Sequence, residues 1–203
     1  MTAQVNEKPR GRQVQRLETR QRVYDAAMAE FKRSGVAGAD VGAIVSAAGV
    51  ARGTFYFHFP TKEHVLEEVE RNLVSRLAND LDRFVADAPE LWSTLSEVAR
   101  LVLAGETRLG NRLFRDVLAL HFSQTRPPGF GKVTDHPLVG LVANEIERAQ
   151  QQGVVNSEAD AVNSALFFLL GFYALLITNH EPKPARARVI DDFLASTRRG
   201  LQV

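Results

Sequence analysis

One apolar stripe constrains the chain more than any other feature. Leu66, Val69, Leu73, Leu77, Leu81 and Phe84 follow one another at intervals of 3, 4, 4, 4 and 3 residues. That period fits one face of an α-helix over about five turns, and it cannot be laid on a strand, whose side chains alternate every second residue. The same period recurs elsewhere, and no strand alternation interrupts it. Val23, Ala27 and Phe31 stand four apart, and Ser34-Gly35 supplies a stop. Asp40 is a candidate cap for a second helix through Ala48, and Gly49 breaks it. A third segment, 51–59, halts before Pro60, and Thr61 can cap the long fourth helix that carries the stripe.

Further along, Pro89 precedes a helix with Leu91, Trp92, Leu95, Val98 and Val102, and another carries Leu113, Phe114, Val117, Leu118, His121 and Phe122. The stretch 125–137, rich in Pro and Gly, is the clear internal loop. A helix over 137–152 carries Leu138, Leu141, Val142 and Ile146. Ser157-Glu158-Ala159-Asp160 resembles a capping box that opens the most apolar helix, 158–179. After the break at 181–184, a last amphipathic helix carries Val189, Ile190, Phe193 and Leu194. The pattern predicts an all-α protein of about nine or ten helices.

Composition removes several classes. The 203 residues include no cysteine, so a disulfide scaffold and any Cys-ligated zinc or iron–sulfur site are excluded. A 45% hydrophobic, 24% charged chain is globular in type and not disordered. The opening stretch has no apolar run that would make a secretory signal. The longest apolar run, 165–177, is 13 residues, short of the roughly 18 that span a bilayer. A soluble, cytoplasmic protein without a membrane segment is expected.

Net charge is +1, from 25 Lys and Arg against 24 Asp and Glu. The sum conceals a division. Through Lys62 there are 10 basic and 5 acidic residues, or +5; from Glu63 onward there are 15 and 19, or −4. A basic front joined to an acidic body is the charge signature of a nucleic-acid reader carried on another domain.

Within that front, 40–62 reads DVGAIVSAAGVARGTFYFHFPTK. Two short helices meet at Gly49, with the small residues Ala47 and Ala48 before it. A helix-turn-helix needs such small residues where its helices cross, and a turn residue that tolerates positive φ. Its second helix must expose donors and cations: Arg52, Thr54, Tyr56 and His58 supply them, while Phe55 or Phe59 can turn inward. Such a helix fits the major groove, where Arg bonds guanine O6 and N7, and its neighbours hold phosphates.

The stretch 22–66 closely resembles the DNA-binding domain of the TetR family of transcriptional regulators. The resemblance rests on Val23-Tyr24-Asp25-Ala26-Ala27 with Phe31 and Gly35, then Ala48-Gly49-Val50, Gly53-Thr54-Phe55-Tyr56, His58-Phe59 and Lys62-Glu63. It implies a dimeric regulator with DNA-binding helices in front and a ligand-responsive helical domain behind. By carry-over, Thr54, Tyr56, His58 and Lys62 fall on phosphate-contacting positions, and Arg52, Gly53 and Phe57 where base contacts vary. Three positions depart from the family pattern. Val45 stands for a usual Ala, Ala51 for a Ser or Thr that would cap, and Asp40 for a frequent Thr, with capping preserved.

The expected division is a flexible basic arm over 1–18, a helix-turn-helix domain over 19–64, and an effector-binding and dimerisation domain over 65–203. Lys8, Arg10, Arg12, Arg16, Arg20 and Arg22 make the arm either a solvated terminus or an extension along phosphates or into the minor groove. Helices 137–152 and 158–179 are the candidate homodimer surface, with Gly171 allowing close approach; burial of the apolar helix inside a monomer is the alternative. Phe84, Trp92, Phe114, His121, Phe122, Phe168 and Tyr173 are candidate pocket residues for a largely apolar small-molecule effector, or simply core. Arg112 and Arg115 could meet an anionic one. The five histidines, at 58, 64, 121, 136 and 180, show no close ligand spacing, and no catalytic set or cofactor motif is visible. The reading is a repressor on a palindromic double-stranded operator, released by its effector. A helical protein-interaction module and a small α-helical enzyme are the alternatives.

Overall fold

The computed structural model describes residues 8–122 and 136–203. Among them are α1 (Lys8–Gly38), α2 (Val41–Ala48), α3 (Arg52–His58), α4 (Lys62–Val85), α5 (Leu91–Leu109), α6 (Asn111–Ala119), a 3-10 turn (Leu120–Phe122), α7 (Pro137–Gln151), α8 (Ala161–Thr178) and α9 (Lys183–Leu201). The described residues hold no strand; an isolated antiparallel bridge joins Val155 to Gln202. The all-α expectation holds. The helices form two compact units, one ending at Glu68 and the other beginning at Val69.

In the first unit α1 packs on α2, and α2 on α3. The periodic Val23, Ala27 and Phe31 are fully buried, as are Ile44, Phe55, Phe59 and Val65. Burying each large apolar side chain is worth about 1.5–3 kcal/mol, so this small cluster can hold the short α2 and α3, which would not persist alone. The expected stop at Ser34-Gly35 is a kink, with Gly35 at φ 71° and ψ 165°, after which α1 resumes to Gly38.

At the other end, the segment expected to be a flexible arm is helical from Lys8, with 11–18 exposed. Two features favour the helix. Pro9 sits in the first turn, where its missing N–H costs nothing, and the Arg, Gln, Leu and Glu that follow add easily to a helix already anchored at Val23.

In the second unit the α4 stripe is buried at Val69, Leu73, Leu77 and Leu81, and Leu91, Leu95, Val98 and Val102 of α5 are buried likewise. Leu113, Phe114, Val117 and Leu118 of α6 are also buried, but α6 ends at Ala119, and His121 and Phe122 lie in the 3-10 turn. The expected loop 125–137 falls outside the described residues except for its last two. α8 opens at Ala161, not 158. Its cap is Asp160, whose carboxylate accepts from the N–H of Asn163 at 2.7 Å, while Asn156 Oδ1 accepts from the N–H of Glu158 at 3.0 Å to make a turn ahead of the helix.

α8 packs along α7, and its Ala165, Phe168, Leu169, Phe172, Tyr173 and Leu176 are buried. Burial is not all round, however, for Phe167 is 69% exposed. The room at Gly171 is used inside the chain: an added Cβ would stand 3.1 Å from the Phe193 ring of α9, which stacks on Phe168 and Phe172. By length and mean hydropathy, 1.9 over 18 residues, Ala161–Thr178 is apolar enough to cross a membrane, which the 13-residue run had understated. The helix gains its extra length from small and weakly polar residues around the run.

Candidate nucleic-acid interface

The turn between α2 and α3 is built by caps. Asp40 Oδ1 accepts from the N–H of Gly42 at 2.8 Å and opens α2. Gly49 closes it at φ 64° and ψ 41°, with its N–H on Ser46 O at 3.2 Å and that of Val50 on Val45 O at 3.0 Å. This double closure needs the left-handed region, where a Cβ is strained and glycine is not.

A buried carboxylate, unforeseen from sequence, ties α1 to the start of α2. Glu30 accepts from Arg33 at 2.7 and 3.0 Å, from Ser34 Oγ at 3.0 Å and from the Asp40 N–H at 3.3 Å. The hydrogen bond from Arg33 is the chief cause that holds its carboxyl below the usual range. The Glu30–Arg33 spacing was the available signal.

α3 divides into two faces. Phe55 and Phe59 both turn inward, ring centroids 6.1 Å apart. Arg52, Gly53, Tyr56 and Phe57 face solvent, the Phe57 ring 65% exposed, with Thr54 and His58 half-buried. The Arg52 guanidinium carbon lies 6.0 Å from the Tyr56 ring centroid. Ala51 makes no side-chain cap, as its methyl requires.

The basic stretch of α1 packs against the far end of this helix. Arg16 lies over Phe57 at 5.0 Å, and Arg20 over Phe59 at 4.6 Å. Arg20 also binds Glu68, with Nη1 to Oε1 at 2.6 Å. Residues 12, 16 and 20 share a helix face by their four-residue spacing. Partial burial, with the Arg16 and Arg20 charges second, pushes the His58 pKa below its ordinary value.

Lys62, expected on a phosphate, donates to Ala37 O at 3.2 Å, in the last turn of α1, and to Ala39 O at 2.9 Å, just past its end. A helix C-terminus attracts a cation for that reason. The Thr61 hydroxyl stands 3.0 Å from His64 Nδ1, and its hydrogen bond to Glu63 is the main cause holding that carboxyl below the usual range.

The arrangement is a protruding helix face with an arginine, a phenol and an apolar ring, flanked by further guanidinium groups. It has the donors to read a groove and the cations to hold its walls. Residues 23–69 match the model of the bacterial regulatory proteins of the tetR family. In this front domain, the chain is similar to the TetR family. Two curated relatives are the HTH-type transcriptional regulator AcrR of Shigella flexneri, 42% identical over 52 residues (26% of this chain, 24% of AcrR), and the uncharacterized HTH-type regulator YvdT of Bacillus subtilis, 25% identical over 103 residues (51% and 50%). The chain thus spans a quarter to a half of the curated relatives it matches. Among solved structures, the TetR-family repressor FadR of Thermus thermophilus, in complex with lauroyl-CoA, superposes with a TM-score of 0.73 at 22% identity, over 91% of this chain and 95% of that one. At that identity the likeness speaks to the fold alone.

In that second unit the aromatic residues singled out from sequence have different surroundings. Phe114, Phe168 and Tyr173 are buried in the core, while Phe122 is exposed. Phe84 lines an open cleft of about 450 Å³ with Asp80, Arg83, Glu97 and Arg100. Trp92 lines a smaller one of about 210 Å³ beside Leu194 and Arg198, and Arg198 lies over its ring at 5.3 Å. Arg112 is exposed, and Arg115 donates to Asn179 O at 3.1 Å.

His121 meets the Tyr173 ring at a centroid distance of 5.0 Å. Burial, and next the charge of Glu70, push the Tyr173 pKa up, so its hydroxyl stays protonated. Spacing in sequence suggested no histidine pair, yet His121 and His136 lie with ring centroids 5.3 Å apart. Residues fifteen apart in sequence show no such proximity by their spacing.

Proposed function

We propose that this chain is a ligand-responsive transcriptional regulator of the TetR family, a cytoplasmic repressor that binds a palindromic operator as a homodimer. The observation that carries the reading is the outer face of α3, where Arg52, Tyr56 and Phe57 are exposed while Phe55 and Phe59 hold the helix to its core. A helix kept only as a scaffold has no use for that set. Thr54, His58 and Arg16 flank it for phosphates, and Gly53 lets the backbone come close. Lys62 keeps one of its three ammonium donors for a phosphate beyond its two carbonyl partners.

Dimerisation uses the helices near 137–152 and 158–179, for which the exposed Phe167 on α8 is the support. Two α3 helices then meet successive major grooves about one turn apart. The effector is a small, largely apolar molecule bound in the second unit. It lowers operator affinity by binding the DNA-incompetent state better, so its differential affinity for the two states sets the response. FadR of Thermus thermophilus, which is similar in fold, holds lauroyl-CoA.

Selection of bound DNA from a random pool tests the reading, with enrichment of one palindrome as the expected result. A pool that stays unenriched, with uniform salt-sensitive binding, would replace it by nonspecific DNA association. Screening apolar compounds for release of the selected DNA then tests the effector.

A further inference from the structure

Three polar side chains from distant parts of the second unit converge below its surface. Glu70 comes from α4, His121 from the 3-10 turn after α6, and His136 from the residue that precedes α7. Glu70 Oε1 lies 3.6 Å from His121 Nε2 and 3.8 Å from His136 Nε2, and their side chains are 7%, 4% and 11% exposed. One donor atom from each lies within 4.8 Å of those of the other two.

We propose that Glu70, His121 and His136 form a binding site for a divalent transition-metal ion of the zinc class. Donors bonded at about 2.0–2.1 Å to a tetrahedral zinc stand about 3.4 Å apart. The two carboxylate–imidazole distances exceed that by only a few tenths of an ångström, a shift that small side-chain rotations supply. Two imidazoles and one carboxylate suit zinc, cobalt or nickel, and not magnesium or calcium, which take oxygen ligands. A dication against one carboxylate leaves a residual positive charge and an open fourth position, for water or for a donor atom of a bound molecule.

The site joins three chain segments that are otherwise separate in sequence, so ion binding draws α4, the end of α6 and the start of α7 together. This inference stands apart from the DNA-binding reading, since it uses no residue of α1, α2 or α3.

The test is titration of chelator-treated full-length protein with Zn²⁺, and with Co²⁺ as a spectroscopic probe. One equivalent per chain should bind, Co²⁺ should develop visible d–d absorption, and Zn²⁺ but not Mg²⁺ should raise the melting temperature. Glu70→Gln and His136→Gln should each weaken binding at least tenfold. NMR of the unaltered protein gives a readout that needs no variant: Zn²⁺ should shift ring signals of two histidines among the five. Failure to bind stoichiometrically overturns the site. So does binding that both variants leave unchanged, which would put the ion on His58, His64 or His180.

Discussion

Arg20 of α1 and Glu68 of α4 form a two-point ion pair, one of its contacts being 2.6 Å. Arg20 is thereby neutralised beside the α3 face and sits 4.6 Å from the Phe59 ring centroid. The pair fixes the basic stretch of α1 more than it supplies charge to DNA. Arg20→Ala and Glu68→Ala should each lower stability by about 1 kcal/mol, with a coupling of about 0.5–1 kcal/mol between them. Urea unfolding of the two single variants, the double variant and the unaltered protein measures it; additive losses would mean that the pair contributes nothing.

Lys62 carries two roles that a single substitution can separate. Its ammonium is bonded to Ala37 O and Ala39 O, so Lys62→Ala removes a cation from the end of α1 and should cost about 0.5–1 kcal/mol of stability. If its third donor also meets a phosphate, operator affinity should fall on every sequence and the log–log salt slope should shrink by about one. Salt titration by mobility shift decides; loss of stability with an unchanged slope leaves Lys62 as a helix anchor alone.

Arg52 is exposed on α3, its guanidinium carbon 6.0 Å from the Tyr56 ring centroid. It is therefore available for a base edge. Arg52→Ala should cost about 1–3 kcal/mol on the selected operator and relax one base position. Equal loss on operator and random DNA would reassign it to the phosphates.

The helices were legible in sequence because their stripes are long: six apolar residues from Leu66 to Phe84 leave no other period. The α3 face was legible for a different reason, since inward Phe55 and Phe59 alternate with outward Arg52 and Tyr56 within two turns. Contacts that join distant segments were not. Glu30 reaches the N–H of Asp40, Lys62 turns back to Ala37 and Ala39, and His121 meets His136. A local pattern records which way a side chain faces along its own helix and nothing of what it meets there. The cap of α8 failed for a subtler reason. Ser157 and Asp160 were both capping residues in the right order, and only the turn closed by Asn156 selects the second.

The hinge of the motif gives a backbone prediction. Gly49 has φ 64°, and a Cβ there would meet nothing within 4 Å, so the cost of Gly49→Ala is conformational and not steric. It should be about 1 kcal/mol. Thermal melting measures the loss, and Gly49→Asn should recover part of it, because asparagine tolerates the left-handed region better. A fully neutral Gly49→Ala would show that the turn does not need its closure.

His58 gives the pH dependence its sign. Partial burial, then Arg16 and Arg20, depress its pKa below the ordinary 6.5. Well above that value the ring is neutral in both folded and unfolded chains and contributes no pH dependence. As pH falls through 6.5, the unfolded chain takes the proton while the folded one resists it, so stability is lost on acidification. His58→Gln removes this contribution. The measurement is the difference in melting temperature between the unaltered protein and His58→Gln, followed from pH about 8 to about 5.5. The unaltered protein should lose ground against the variant as pH falls. The opposite slope would mean that His58 is stabilised in its charged form, as a phosphate-holding imidazolium would be, and its part in DNA binding would then strengthen below neutrality.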